Sequence, residues 1–409
     1  MPEDLGSDGK PALVWHTYPL GLLGADQTGA DRTCHATLRE VAEWLPHIES
    51  LGADTLLLGP VFSSLSHGYD TVDHRDIDGR LGTMADVDAL VTAASAHGIG
   101  VVLDGVFAYA SREFWRLTDP EETDDPWFLR DAQGQPVPWR VDSLITPDYA
   151  SVGYQSYVAD VMVSWLARGV RGWRLDSSWS VPASFWRKVL ARVRRSHPGV
   201  WLLGQVFDED LPPVINHATY SSATEYALMH GVREWLAGGP ADGMVSTLRL
   251  HQHNSTRGPV HTFLGNHDFA RLADVIDPDL LPAAFSILMT VPGIPAVYYG
   301  DELGVTSTWE QGGSDAVLRP AMSPDAARHA GALLEAVRDL GAFRRANPWL
   351  RSAALDGVRT HDGALTYRIT GDGRSIRVYV NPTAAPVTFP SEADGVGARG
   401  WAIVLQSPR

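Results

Sequence analysis

The sequence predicts an α/β protein: a (β/α)8 TIM barrel with a small subdomain in the loop after strand 3 and a C-terminal β-sandwich. Two observations carry the barrel. From residue 13 to about residue 343, short β-branched runs alternate with longer helical patterns. Several of the short runs are apolar throughout, as parallel strands buried on both faces should be. A third observation carries the remainder. After about residue 349 the text changes to short alternating runs at 364–369, 375–380 and 401–405, punctuated by Gly and Pro, which reads as a small sandwich.

In chain order, the strand candidates are residues 13–18, 55–61, 100–106, 170–176, 200–206, 222–226, 260–265 and 294–299. Amphipathic stretches lie between them at 38–51, 84–97, 154–168, 184–196 and 282–291. Strand–helix units in this number imply a closed barrel, with its working face at the strand C-terminal ends. A doubly wound sheet is the alternative on pattern alone, but no glycine-rich phosphate turn follows an early strand. The expected division is a barrel of residues 1–106 and 149–346, an inserted loop of 107–148, and a C-terminal domain of 347–409. The insertion holds turn-rich polar text at 118–126 and a hairpin around 131–135. Loops of this length usually carry contacts over a barrel mouth.

Bulk properties exclude several classes. The chain has 409 residues and a formal charge of −16. Nucleic-acid and anionic-membrane binding both rely on clustered Lys and Arg, so neither is expected; the acidity reads as solubility. No run approaches the 18 or more apolar residues of a membrane span. The first residues lack the basic start and apolar stretch of a signal peptide, so a cytoplasmic location is the expectation. Cys34 is the single cysteine, which rules out an intramolecular disulfide and a cysteine zinc site. Fourteen tryptophans suit sugar stacking and ordinary cores equally.

Placed on strand ends, four segments converge on one pocket: Leu103-Asp-Gly-Val-Phe-Ala-Tyr109, Gly172-Trp-Arg-Leu-Asp176, Leu203-Gly-Gln205 and Phe263-Leu-Gly-Asn-His-Asp268. Supporting segments are His67-Gly-Tyr-Asp-Thr-Val-Asp-His74, Asp78-Gly-Arg-Leu-Gly82 and Gly293-Ile-Pro-Ala-Val-Tyr-Tyr-Gly-Asp-Glu302. In this order and spacing they resemble the α-amylase family, glycoside hydrolase family 13, over nearly the whole chain. The neopullulanase-like, oligosaccharide-active branch is the most similar. The resemblance implies Asp176 as the nucleophile of a retaining hydrolysis. Arg174, two residues earlier on the same strand face, would hold it by a charge-assisted hydrogen bond. It further implies Asp268 and His267 as ligands of the sugar at the cleavage site, Tyr69 as its aromatic platform, and Asp104 as a supporting carboxylate.

Three positions depart from the family pattern. Ala108 and Tyr109 stand where the family usually has Asn and His. Alanine brings no oxygen ligand from its side chain, so no calcium is expected there. Tyr109 either replaces a sugar contact with its phenol, narrows the pocket, or marks a repacked loop. The third departure is Gln205, at the end of the fifth strand where the resemblance implies a glutamic acid. Retaining hydrolysis needs two carboxyl groups about 5–5.5 Å apart, and an amide has no titratable proton to give. Asp208, Glu209 and Asp210 lie too far along to reach the same point. The resemblance therefore implies a retaining α-glycoside hydrolase, with transglycosylation as a further outcome. Its substrates would be α-glucosyl oligosaccharides such as maltooligosaccharides, isomaltooligosaccharides or pullulan fragments, and this chain would be its inactive Glu-to-Gln form. The alternative is a naturally inactive carbohydrate-binding pseudoenzyme. No cofactor and no metal are expected, and the sequence leaves the oligomeric state open.

Overall fold

The computed structural model describes residues 9–117, 126–307, 314–328, 331–390 and 395–406. The barrel strands are β1 (Val14–Thr17), β2 (Thr55–Leu58), β3 (Gly100–Gly105), β4 (Gly172–Leu175), β5 (Trp201–Gly204), β6 (Ser222–Ala223), β7 (His261–Phe263) and β8 (Ile294–Tyr298). All neighbours pair parallel, in the order β6-β5-β4-β3-β2-β1-β8-β7. A parallel bridge between Thr224 and His261 joins the two ends and closes the barrel.

The strands read as apolar runs because both faces are buried. Val14, Leu57, Val102, Trp201, Leu203, Phe263, Ile294 and Ala296 form one cluster. Their strand neighbours Trp15, Leu56, Leu58, Val101, Leu103, Trp173, Leu175 and Leu202 belong to a second cluster shared with the helices. The two-residue period of a strand makes this division. It also lifts Asp104, Arg174 and Gln205 onto the inward face, each two residues beyond Val102, Gly172 or Leu203.

Helix starts follow local chemistry. In α1 (Met84–Ala96), Thr83 and Asp86 form a reciprocal capping box, which satisfies two otherwise unpaired amides. In α2 (Val152–Leu166), the Ser151 hydroxyl accepts from the Tyr154 amide. The 38–51 stretch is not one helix. It divides into a 3-10 segment, Leu38–Trp44, and a short α-helix, Leu45–Ser50, because Pro46 supplies no amide to carry the ladder through. Strand β6 is also shorter than 222–226: it stops at Ala223, and Tyr226 begins α4 (Tyr226–Leu236), with α3 (Ala183–Ser196) before it. Between β6 and α4 the Glu225 backbone N–H still donates to the His261 carbonyl of β7 (3.0 Å), while its carboxylate accepts from Asn254 Nδ2 (2.9 Å) and pairs with His251 Nδ1 (2.6 Å) of the helix at 241–254. Among the described residues, the longer helices α4, α5 (Ala241–Asn254) and α7 (Ala332–Ala346), the last following α6 (Leu281–Thr290), have no counterpart among the sequence candidates, and neither does the eight-residue helix Leu211–Ala218.

Within the insertion after β3, Ala110–Ser111, Pro138–Trp139 and Val141–Ile145 make a three-stranded antiparallel sheet. A turn at 131–135 is closed by the Gln135 carbonyl accepting from the Asp131 amide (2.9 Å). The turn-rich text at 118–126 lies outside the described residues except for Pro126. At the C-terminus, β9 (Ala354–His361), β10 (Ala364–Gly371), β11 (Arg374–Asn381) and β12 (Gly400–Gln406) form an antiparallel sheet. Leu365, Tyr367, Ile369, Ile376 and Val378 on this sheet are continuous with the barrel core, and Tyr367 meets Thr290 of α6 through their hydroxyls at 2.6 Å. The opposite face packs Tyr379 and Ala364 against Val387, Phe389 and Val396. Among the described residues, no helix is long and apolar enough to cross a membrane.

Candidate active site

Strand register builds the charged part of the site. Asp104 of β3 lies opposite Arg174 of β4, so Arg174 Nη1 reaches Asp104 Oδ2 sideways and Asp176 Oδ1 (3.2 Å) upward. One guanidinium nitrogen thus serves two buried carboxylates. Asp104 Oδ1 has no partner among the described residues. Burial, reinforced by the charge of Asp176, raises the Asp104 carboxyl above the usual carboxylate range although Arg174 opposes the shift. Arg174 stays charged. Burial alone would lower it, but the two carboxylates and Tyr69 outweigh burial.

Tyr69 ties the next layer. Its hydroxyl donates to Asp104 Oδ2 (3.0 Å) and meets His267 Nε2 at 2.5 Å, with the two rings stacked at 5.2 Å. His267 is neutral: burial, then Arg319 and Arg174, hold it well below the ordinary histidine value. Its Nε2 also lies 3.2 Å from Asp268 Oδ1. Desolvation pushes the Asp268 carboxyl up to about 6, against Arg174 and Arg319. Its side chain is 38% exposed, so water screens part of that penalty. Arg319 donates from Nε to the His267 carbonyl (3.0 Å) and lies 4.6 Å over the Tyr18 ring. Beside Tyr69 and Arg319 opens a cleft of about 270 Å³, lined also by Gln27, Thr28, His67 and Ala316.

The fifth strand supplies the neutral part. Gln205 is buried, and its amide N–H donates to the Leu175 carbonyl (3.0 Å), which sets it beside Asp176. Neighbouring strands run about 4.8 Å apart, close to the separation that retaining carboxyl pairs use. Ser177, in left-handed backbone at φ 46°, donates its amide N–H to Gln205 Oε1 (2.8 Å). That obligate donor fixes which end of the amide is oxygen. The Nε2 end donates to the Tyr226 hydroxyl (3.1 Å), to which Asn266 Nδ2 also points (3.3 Å). Both ends of the amide are satisfied. Below them a cavity of about 20 Å³ borders His16, Arg174, Tyr226, His261 and Asn266, room for one water molecule.

Tyr109 does not stand apart from this machinery. Its hydroxyl donates to Asp176 Oδ2 (2.8 Å), and its ring lies against Trp139 at 4.1 Å. Burial and the Asp176 charge hold the phenol well above its ordinary value, so it is a donor and not an ion. Asp176 therefore receives Arg174 on one oxygen and Tyr109 on the other. Ala108 offers only its carbonyl, which accepts from the Tyr149 hydroxyl (2.7 Å). Among the described residues, no group of three or more His, Cys, Asp or Glu side chains is arranged to hold a metal.

All eight residues singled out in the sequence meet in this pocket. Eight others that sequence reasoning did not single out join them: Tyr18, Trp139, Tyr226, Asn266 and Arg319, together with Trp179, whose backbone N–H donates to the Gln205 carbonyl (3.2 Å), Arg140, whose guanidinium lies 4.3 Å over the Trp179 ring, and Phe207, 4.5 Å from the Tyr226 ring. Asn266 stood inside a quoted motif. Trp179 and Phe207 follow Asp176 and Gln205 by three and two residues, and that proximity to strand ends was the available signal.

A barrel whose strand ends gather an Arg–Asp pair, an Asn-His-Asp segment and a tyrosine stacked on its histidine agrees with the family comparison. The Alpha-amylase family pattern, described as "Alpha amylase, catalytic domain", matches residues 25–145 and 142–355. The chain belongs to the α-amylase family. Among relatives in that family, a maltogenic alpha-amylase of Bacillus acidopullulyticus is 25% identical over 428 residues, covering 96% of this chain and 70% of its own length. A cyclomaltodextrinase of Geobacillus thermopakistaniensis is 27% identical over 385 residues, covering 88% of this chain and 64% of its own. Neopullulanase 2 of Thermoactinomyces vulgaris is 26% identical over 290 residues, covering 66% and 49%. The chain thus spans about half to seven tenths of the length of these relatives. Among solved structures, the cyclic alpha-maltosyl-(1→6)-maltose hydrolase from Arthrobacter globiformis, in complex with cyclic alpha-maltosyl-(1→6)-maltose, superposes with a TM-score of 0.84. It covers 98% of this chain and 99% of its own at 22% identity, a likeness of fold.

Proposed function

We propose that this site binds α-glucosyl oligosaccharides in the manner of a retaining glycoside hydrolase whose proton donor has been replaced. Asp176 is the nucleophile, Arg174 and Asp104 position it, and Asp268 and His267 hold the sugar over the Tyr69 ring. Gln205 occupies the place of the general acid. The observation that carries this reading is the seating of Gln205: beside Asp176, buried, and anchored by the amide of the residue that follows the nucleophile. An amide so placed copies the shape of a neutral carboxylic acid and holds no proton for a departing alkoxide.

The test is Gln205→Glu. Hydrolysis of maltooligosaccharides, isomaltooligosaccharides and pullulan fragments should rise by about 10²–10⁴-fold, the usual worth of a positioned general acid. Activity that stays at background on all three defeats the hydrolase reading. A second reading, a carbohydrate-binding pseudoenzyme, draws on the engagement of both Asp176 oxygens by Arg174 and Tyr109. It expects unchanged oligosaccharide affinity and no gain of hydrolysis in the same variant.

A further inference from the structure

The two edges of the C-terminal sheet are built differently. β9, at one edge, carries a bulge between Asp356 and Arg359, with Gly357 in left-handed backbone at φ 59°. Asp356, Arg359 and His361 stand along it, and α5 packs against it. Charges, bulges and cover are the devices that keep a strand edge from pairing with another chain. β12, at the other edge, lacks the first two. Its seven residues, Gly400-Trp-Ala-Ile-Val-Leu-Gln406, include no charge and no proline. They pair with β11 without a break, from Asn381 opposite Gly400 to Ser375 opposite Gln406. Among the described residues, no strand lies on the outer side of β12. Leu365, Ile369, Ile376 and Val378 of the inner strands are fully buried, whereas Trp401, Ala402, Ile403 and Val404 are half-buried and Leu405 is 74% exposed. Trp401 and Ile403 lean on the barrel core, and Ala402 and Val404 on the small cluster of the opposite face. The strand is also held in place. Arg399, one residue before it, donates from Nη1 to Asp277 Oδ2 (2.6 Å) and Asp279 Oδ2 (3.1 Å) of the barrel.

We propose that β12 is the seam of a homodimer, in which a second copy of this chain adds its own β12 antiparallel across a twofold axis through Ile403. Three features select a second copy as the occupant. The first is that the strand matches itself. An antiparallel register about Ile403 sets Trp401 of one copy against Leu405 of the other, Ala402 against Val404, and Ile403 against its own equivalent. Facing Cβ atoms in such pairs lie about 4.5–5.5 Å apart, so the most exposed apolar side chain of the strand meets the largest. The second is charge. In a chain of net charge −16, this edge carries no charge by which a basic partner would be drawn, and it brings no like charges face to face. The third is closure. A twofold pairing uses up the open edge of both copies, and the bulged, charged edge at β9 offers no next place, so association stops at two. The seam joins two four-stranded sheets into one continuous sheet. Seven residues a side make a smaller interface than the standard of about 1,600 Å², so the dimer dissociates at about micromolar concentrations.

The experiment is sedimentation equilibrium of the full chain from about 1 μM to about 100 μM, the range in which a small interface forms and dissolves. The mass should rise from 44.5 kDa toward twice that value. Leu405→Asp should weaken the dimer by about tenfold or more, because its carboxylate would be desolvated against Trp401. Leu405 lies mostly in water in one copy, so the near-UV circular dichroism of this variant, taken at low concentration, should match that of the unaltered protein. A cross-link reads the register. With the single cysteine removed by Cys34→Ser, Ile403→Cys should join its own equivalent on mild oxidation and give a covalent species of twice the mass. A monomer across the whole range overturns the proposal. A dimer that is unchanged in Leu405→Asp overturns the seam at β12. Dissociation by Leu405→Asp without the Ile403→Cys cross-link overturns the twofold register about Ile403.

Discussion

The ends of β4 and β5 are neighbours and opposites. On β4, Arg174 and Asp176 belong to a charged cluster with Asp104, in which each group answers another's desolvation. On β5, Gln205 belongs to a neutral cluster with Tyr226, Asn266 and the Ser177 amide, satisfied by hydrogen bonds alone. The charged half is costly to break, because removing one partner strands the others in a dry interior. The neutral half is cheap to alter, because an amide or a carboxylic acid fills the same hydrogen-bonding frame. On the function proposed above, an acid at position 205 can therefore give way to an amide while the Arg174–Asp176 half stays assembled.

Four measurements break or sharpen this contrast. The largest effect is expected from restoring the acid: Gln205→Glu raises oligosaccharide hydrolysis by about 10²–10⁴-fold, read from steady-state rates. Next comes stability. Arg174→Met leaves Asp104 and Asp176 facing each other without a cation and costs about 3–5 kcal/mol, whereas Gln205→Met costs about 1–3 kcal/mol for the unpaired amide and hydroxyl. Urea denaturation of the two variants compares them, and equal losses would erase the distinction between the halves. The third is pH. Because the folded-state value of Asp268 is raised to about 6, its carboxylate is lost as acceptor when pH falls through that value. Oligosaccharide affinity, followed by calorimetry, should weaken below about pH 6, and Asp268→Asn should flatten that profile. The smallest effect belongs to Tyr109→Phe. Freeing Asp176 Oδ2 from one hydrogen bond worth about 1 kcal/mol should speed its glycosylation by α-glucosyl fluoride about fivefold, and slower labelling would mean that the phenol assists the nucleophile.

The barrel was legible in the sequence because strands buried on both faces leave unbroken apolar runs. The pairing of Arg174 with Asp176 was legible because two residues along a strand return to the same face. Tyr226 misled: an aromatic two residues after Thr224 reads as a strand end, and only the distant pair His251 and Asn254 reveals that the Glu225 carboxylate is engaged by a later helix just before Tyr226 begins its own. Trp139, Arg140 and Arg319 were silent for a different reason. They stand on irregular connections with no period, and their neighbours in space lie far away in sequence. Tyr109 was visible as a departure, but its partner Asp176 is 67 positions away, beyond any local rule.

The seam of the barrel has a consequence of its own. β6 contributes only two paired residues to β5, and its link to β7 is the bridge from Thr224 to His261. The wall behind Gln205 and Tyr226 therefore carries few of the backbone bonds that hold the rest of the cylinder. Chain replacement or drift in this wall disturbs little of the scaffold, while a change under Asp104 or Arg174 disturbs a fully laddered sheet. Gln205 itself stands on the laddered side of that seam, its backbone N–H bonded to the Leu175 carbonyl, while its partner Tyr226 opens the helix that leaves the sparse side, so one amide side chain joins the firm and the thin parts of the cylinder.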